Sequence, residues 1–376
     1  MPEGPSLVIL REDADKFVGH VVREVSGNSR LPIERLSGQR LLELHSWGKH
    51  LLLQFPGFYL RVHFMLWGSW RIDEQREAAP RLALLLGTVC SAALRALLPM
   101  TFLLIVAFSL GLAVSALAYA GEKLDEPAYV DLAERAMRFV LDVLRGADGR
   151  LLHRARGGQA GLMATADDYA FTVRALLDLY QATRSARWMV EAVELQQDFN
   201  TFYFDEARGA YRLAPSDGEQ LITNTIAFYD GATPSANSVA ALNLLHLSRL
   251  TGDVAHADRA RRVFQAAAPE VSTMPSGFAA LLLALDEDVH APADVVLTVA
   301  DGADAQPFLD AYRRARPPGS LLAVLDASTR EVLADVSPYL AAYAIPETGV
   351  KAYVCQNLHC EAPAAEAAAL EALLRG

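Results

Sequence analysis

Asp230-Gly231-Ala232-Thr233-Pro234-Ser235-Ala236-Asn237-Ser238-Val239-Ala240-Ala241-Leu242-Asn243-Leu244-Leu245 is the stretch on which the fold of most of the chain turns. Asp-Gly and Pro-Ser are turn chemistry, and Pro-Ser-x-Asn also suits the first residues of a helix. The stretch reads as a turn that feeds a helix. Outward from it, about Gly111 to Val289 reads as repeated helical hairpins, separated by Gly-Asp, Asp-Gly and Pro-Ser turns. Apolar stripes at helical spacing run through Leu132, Ala136, Met137, Val140 and Val143/Leu144, and through Ala170, Val173, Leu177 and Tyr180. A weak repeat underlies them: Tyr129, Trp188 and His256 each open a helix. Alanine follows four residues on (Ala133, Ala192, Ala260), and an apolar or small residue seven on (Ala136, Leu195, Val263). About seven helices with a shared packing face are expected.

A short α/β piece follows the helices. Asp294 to Val299 reads as a strand, Ala305 to Arg314 as a helix and Ser320 to Leu325 as a second strand, one βαβ-like unit. It carries no glycine fingerprint for a dinucleotide.

At 376 residues the chain has room for two or three domains, and 52% hydrophobic with 21% charged residues is a globular composition. The net charge of −11 is unevenly spread. Residues 1–85 hold eleven basic and ten acidic side chains, so the acidic excess lies beyond them and opposes phosphate binding there. The three cysteines, Cys90, Cys355 and Cys360, argue against a disulfide scaffold and suit a reducing, cytoplasmic setting. Cys355 and Cys360 have the wrong spacing for a close zinc pair. They read as two ordinary reduced thiols, with a redox or metal role as the alternative. His45, His50 and His63 have no carboxylate at ligand spacing, so neither metal nor cofactor is expected.

Between Arg95 and Glu122 no residue is charged for 26 positions. By length, 97–120 is a candidate for a single membrane span, with the N-terminus left inside by the flanking charges. The competing reading is a buried helix, since Gly111, Ser115, Ala116 and Ala118 suit close packing. The apolar stretch begins too far into the chain for a cleavable secretory signal.

The chain opens Met1-Pro2-Glu3-Gly4-Pro5. Once Met1 is trimmed, the Pro2 amine is a nucleophile with a pKa of about 8, against about 10 for lysine. It can condense with an aldehyde-like carbon to a Schiff base, and Glu3 beside it can shuttle protons. Further on come Leu36-Ser37-Gly38-Gln39-Arg40, Ser46-Trp47-Gly48-Lys49-His50-Leu51-Leu52-Leu53, and Val62-His63-Phe64-Met65-Leu66-Trp67-Gly68-Ser69-Trp70-Arg71-Ile72. Over Met1 to about Leu85 these segments resemble the formamidopyrimidine-DNA glycosylase and endonuclease VIII family. The resemblance implies that Pro2 attacks the sugar of a damaged nucleoside and Glu3 protonates it. It implies that Lys49 holds a phosphate, and that Met65, Leu66 and Trp67 fill the gap left by a flipped base. Damaged DNA is the partner it implies. The family's later strands, its helix–two-turn–helix domain and its four-cysteine zinc finger have no counterpart here.

The second half resembles another family. Asp167-Asp168-Tyr169-Ala170-Phe171, the stretch from Asp230 to Leu245, and Ala352-Tyr353-Val354-Cys355-Gln356-Asn357-Leu358-His359-Cys360-Glu361-Ala362-Pro363 are similar to thioredoxin-domain-containing proteins of the spermatogenesis-associated group. That resemblance runs from about Leu110 to the C-terminus and implies an α/α toroid similar to sugar epimerases. The thioredoxin domain and the first toroid helices are missing, which leaves an open half-ring with apolar faces to cover. Asp168 and Tyr169 would face a sugar in the toroid mouth, with Asp230, Ser235 and Asn237 as further pocket residues. The duller readings are a helix cap, a core tyrosine and turn chemistry.

The expected architecture is multidomain. A partial β-sandwich-like glycosylase domain (1–85) leads through a hydrophobic junction (86–110) to an incomplete α/α toroid-like domain (111–290) and a small α/β unit (291–376). The expected activity is a DNA glycosylase with AP-lyase chemistry, inactive if the truncation removes too much. A sugar-binding or sugar-isomerising toroid fragment is the alternative, and a non-functional fusion of two reading frames the third.

Overall fold

The computed structural model describes residues 14–22, 36–47, 50–63, 69–73, 81–85, 105–156, 159–218, 223–315, 319–356 and 359–375. The chain divides into two compact units, Met1–Leu98 and Pro99–Gly376.

In the first unit, β1 (Glu43–Trp47), β2 (His50–Phe55) and β3 (Phe58–His63) form an antiparallel meander. Alternation fixes its buried face: Leu44, Leu53 and Phe55 pack with Ala14 and Leu41. Trp47 pairs with His50, and His50 with His63, so one row of residues closes one end of this sheet. β4 (Ser69–Asp73) and β5 (Arg81–Leu85) form a separate antiparallel pair.

The second unit is mostly helical. β6 (Ile105–Val106) leads into α1 (Ala107–Leu124), followed by α2 (Pro127–Val143), a hairpin of β7 (Leu152–Arg156) and β8 (Gln159–Met163), α3 (Ala166–Thr183) and α4 (Ala186–Tyr203). The short pair β9 (Phe204–Asp205) and β10 (Ala210–Tyr211) precedes α5 (Ala236–Thr251), α6 (Val254–Thr273) and α7 (Ala279–Val289). The seven helices make two rows. α1, α3, α5 and α7 pack side by side as an inner row, while α2, α4 and α6 lie against α1, α3 and α5.

The sequence repeat is the outer row. Tyr129, Trp188 and His256 each occupy the third position of an outer helix, and Ala133, Ala192 and Ala260 are fully buried where it meets its inner partner. The stripe on α2 needs one correction. Leu132 is 39% exposed, and the buried face runs through Ala133, Met137, Val140, Leu141 and Leu144. A helix of 3.6 residues per turn puts position 133 on the line of 137 and 140 and turns 132 away.

The span considered over 97–120 is also corrected. Among the described residues no helix is long and apolar enough to cross a membrane. α1 starts at Ala107 and buries Ala107, Gly111, Val114, Ala118 and Gly121, a stripe of mostly small residues. Small side chains let α1 approach α3 closely: a Cβ on Gly111 would stand 2.7 Å from the Phe171 carbonyl oxygen. From Ala107 onward the apolar run is a packed helix, with Gly111 and Ala118 on its buried face as expected and Ala116 exposed.

After α7 the chain forms β11 (Asp294–Val299), α8 (Gln306–Ala315), β12 (Leu322–Leu325), α9 (Ala327–Leu333), α10 (Pro338–Ala341), β13 (Val350–Gln356), β14 (His359–Cys360) and α11 (Ala367–Arg375). The sheet order is β12-β11-β13-β14, with β11 and β12 parallel, as the βαβ reading requires. Period-two alternation serves two cores. Val295, Leu297 and Leu322 pack under α8 and α11 with Phe308, Tyr312 and Leu370. Val296, Leu321, Ala323 and Leu325 join the core of the helices. Gln181 of α3 pairs with Leu322 in both directions, its Nε2 donating to the carbonyl (3.1 Å) and its Oε1 accepting from the amide (3.0 Å).

Reading Cys355 and Cys360 as reduced thiols is corrected too. They face each other across the β13–β14 hairpin and are joined as a disulfide. Register supplies the reason. An antiparallel pair sets opposite Cβ atoms about 5 Å apart, which spacing along the sequence does not reveal.

Candidate functional site

The first turns of the inner helices and the segments just before them hold the second-half residues singled out from sequence. Asp168 is fully buried in the first turn of α3, where it completes a capping box with Thr165. One carboxylate oxygen accepts from the Thr165 amide (2.7 Å), the Thr165 hydroxyl (2.9 Å) and His153 Nδ1 (2.7 Å). The other accepts from the Phe108 amide at the start of α1 (3.1 Å). A carboxylate with no proton to give fixes the His153 tautomer with its proton on Nδ1. The hydrogen bond to Asp168 raises the His153 pKa above its ordinary value, against the opposing effect of burial.

Tyr169 is fully buried, stacks on Phe199 with ring centroids 5.6 Å apart, and accepts the Leu151 amide on its hydroxyl (3.2 Å). Asn237 is 2% exposed, and its side chain imitates a strand partner. Its Oδ1 accepts from the Tyr211 amide (2.8 Å), and its Nδ2 donates to the carbonyls of Tyr211 and Ala227 (3.0 Å each). Asp230 accepts from the Ser235 amide (2.8 Å) and from the Ala280 amide that opens α7 (2.8 Å). Ser235 caps α5 by accepting from the Ser238 amide (3.1 Å). Asp168, Tyr169, Asn237 and Asp230 each tie an inner helix to a neighbouring segment through backbone groups, while Ser235 caps its own helix.

A second set was not singled out from sequence. Within the body of α3, Arg174 and Asp178 are half-buried among buried neighbours, and Arg249 is half-buried on α5. They belong to a continuous polar stripe across the inner row. The Ser115 hydroxyl of α1 donates to Asp178, and Asp178 holds Arg174 through Nε (3.0 Å) and Nη2 (2.8 Å). Arg174 Nη1 lies 3.4 Å from His246 Nδ1, and His246 Nε2 lies 3.1 Å from Glu287 of α7. Arg249 then joins Glu287 (3.1 Å) to Asp294 of β11 (2.8 Å from Nε) and donates to the Gly319 carbonyl (2.7 Å).

Electrostatics fixes the protonation of this stripe. His246 is 5% exposed, and burial pushes its pKa down, against the pull of Glu287. A neutral ring with its proton on Nε2 donates to Glu287 and presents the Nδ1 lone pair to Arg174. Burial alone would raise the Glu287 pKa, yet its hydrogen bond to His246 and the nearby guanidinium of Arg249 hold it below the ordinary glutamate value. With the imidazole neutral, the Arg249 charge and the ring N–H are what keep that carboxylate ionised. The sequence did contain a signal: Arg174 with Asp178 at i,i+4, and His246 with Arg249 at i,i+3, interrupt otherwise apolar helices.

The N-terminal candidates, Pro2, Glu3, Lys49, Met65, Leu66 and Trp67, lie outside the described residues. Gly48 and Lys49 are the two residues between Trp47 and His50, and 64–68 follow His63. Among the described residues no three His, Cys, Asp or Glu side chains gather as a ligand set for a metal.

The resemblances fall in two places along the chain. Residues 1–94 match the family model for the formamidopyrimidine-DNA glycosylase N-terminal domain. Human spermatogenesis-associated protein 20 is 28% identical over 278 residues, which cover 70% of this chain and 35% of that protein. Uncharacterized protein B0495.5 of Caenorhabditis elegans is 30% identical over 186 residues, 46% of this chain and 25% of its own length. The chain thus spans about a third of the length of the first of these relatives and a quarter of the second. Among solved structures, cellobiose 2-epimerase from Bacillus thermoamylovorans B4167 is similar over 43% of this chain and 44% of its own, with 19% identity and a TM-score of 0.37. Both resemblances read from the sequence hold.

Proposed function

We propose that the N-terminal unit acts on damaged DNA as a glycosylase with AP-lyase chemistry, through a Schiff base on Pro2. The observation that carries this reading is the family match over residues 1–94, which takes in Pro2-Glu3. The sheet is consistent with it. Lys49 and Met65 to Trp67 continue in sequence from one end of the meander, the row Trp47–His50–His63. Pro2 would attack the sugar carbon, Glu3 would carry protons, and Lys49 would supply a point charge for a phosphate. Met65, Leu66 and Trp67 would hold open a stack whose disruption costs a few kcal/mol. Incubating the full chain with abasic-site DNA and borohydride should trap a covalent adduct, and Pro2→Gly should trap far less. No adduct where a complete relative gives one overturns the reading.

A second reading is favoured by the polar stripe: the helical unit binds a polyhydroxylated, sugar-like ligand along its inner row. Arg174 and Asp178 offer a donor fork and an acceptor beside each other, and Tyr119, 58% exposed, lies one turn beyond Ser115 on α1. A hydroxyl that displaced Arg174 from His246 Nδ1 would meet a neutral base already oriented by Glu287. Mono- and disaccharides should then raise the melting temperature of the full chain saturably, and Arg174→Met should abolish the shift. Flat melting curves across such a panel remove this reading.

A further inference from the structure

Neither reading above uses the Cys355–Cys360 bridge, which is unlike a structural staple. A cross-link stabilises by restricting the unfolded chain, more for longer loops, and this one closes a separation of only five residues. It holds β14, a strand of two residues. Its two sulfurs differ in access. Cys355 is 3% exposed, whereas Cys360 is exposed on the outer strand of the sheet.

Two tyrosine hydroxyls reach the bridge, and a third tyrosine ring packs behind them. The Tyr343 hydroxyl lies 3.3 Å from Cys355 Sγ and 3.0 Å from Cys360 Sγ. Disulfide sulfurs carry no hydrogen, so the phenol is the donor. Tyr339 lies 2.9 Å from the Tyr343 oxygen and 3.7 Å from Cys360 Sγ. Its proton can satisfy the Tyr343 oxygen while Tyr343 turns its own proton to a sulfur. Tyr353 packs edge-on against Tyr343, with centroids 5.0 Å apart. Burial raises the Tyr343 and Tyr339 pKa values, which keeps both hydroxyls protonated as donors.

We propose that Cys355–Cys360 is a thiol-exchanging disulfide, attacked by a dithiol at the exposed Cys360 sulfur while the Tyr343 hydroxyl stabilises Cys355 as it departs. One thiolate of the dithiol bonds to Cys360 Sγ as the Cys355–Cys360 bond breaks, and the electron pair leaves on Cys355. The second sulfur of the dithiol attacks the first, closes a cyclic disulfide and expels Cys360 as a thiolate. Two electrons pass from the dithiol to the protein, and the two thiolates take up the protons the dithiol lost. The buried Cys355 thiolate is the step most in need of help, and a hydroxyl within reach of both sulfurs supplies it.

The test uses the full chain with Cys90→Ser, so that only this pair is counted. Limiting dithiothreitol should expose two thiols to a chromogenic disulfide reagent with the helical circular dichroism unchanged. Tyr343→Phe should slow that reaction about tenfold, the scale of a lost hydrogen bond to a charged group. A maleimide should label Cys360 quickly in Cys355→Ser and leave Cys355 unlabelled in Cys360→Ser. A bridge that opens only in denaturant, an unchanged rate in Tyr343→Phe, or equal labelling of both cysteines each overturns the proposal.

Discussion

Asp168→Asn is expected to destabilise the helical unit by about 3–5 kcal/mol, from two or more buried donors left unpaired at about 1–3 kcal/mol each. The substitution conserves shape, so the effect isolates the hydrogen bonds. One Asp168 oxygen accepts from the Thr165 amide, the Thr165 hydroxyl and His153, and the other from Phe108. An amide nitrogen at either place sets a donor against donors. The loss is large beside a typical domain stability of about 5–15 kcal/mol. It should also depend on pH. The His153 pKa is raised in the folded chain, so its stabilising contribution is complete below the unfolded value of about 6.5 and is lost as pH rises through the folded value. The deficit of the variant should therefore be larger at pH 5.5 than at pH 8.5. His246 and His256, whose pKa values burial lowers, act in the opposite sense but are common to both proteins and cancel in the difference. Denaturant unfolding followed by far-ultraviolet circular dichroism reads this unit, because its helices dominate that signal. A loss under about 1 kcal/mol, or one independent of pH, would show that the carboxylate is not the clasp between α1 and α3.

What the sequence revealed follows the range of the interactions involved. Helical spacing is local, so the outer row was legible from Ala133, Ala192 and Ala260, and the parallel pair of β11 and β12 from its strand–helix–strand order. Leu132 was misplaced because two adjacent apolar residues compete for one face, and only the position of the partner helix decides between them. Asp168 was legible as cap chemistry, but its bond to Phe108 joins residues 60 positions apart. The polar stripe was missed for the same reason. His246 and Glu287 lie 41 positions apart, and each alone looks like a tolerated polar residue in a helix. The disulfide needed the β13–β14 register, which a two-residue strand does not announce. For the N-terminal tip the sequence motif is itself the argument, since the proposed reactivity there would come from the imino group of Pro2.

Arg249→Met should cost about 3–5 kcal/mol, the scale for removing one partner from a buried ion pair. Arg249 joins Glu287 of α7 to Asp294 of β11 and also donates to the Gly319 carbonyl just before β12. Methionine fills most of the same volume, so the loss measures stranded carboxylates more than a cavity. Arg249→Lys should fall between the two, because an ammonium keeps the charge but cannot reach both carboxylates and the carbonyl in one planar fork. Two further readouts separate this network from ordinary packing. Asp294 also accepts from the Leu321 amide, so amides of β11 and β12 should exchange faster in Arg249→Met than in wild type. The Arg249 charge also helps keep His246 neutral, and its removal should raise the His246 pKa toward that of an imidazolium paired with Glu287. Protonation would then return a partner to Glu287, so the stability deficit should shrink between pH 8 and pH 6. A deficit that is flat across that range, with sheet exchange unchanged, would mean that solvent screens the stripe and that apolar packing alone holds the C-terminal sheet to the helices.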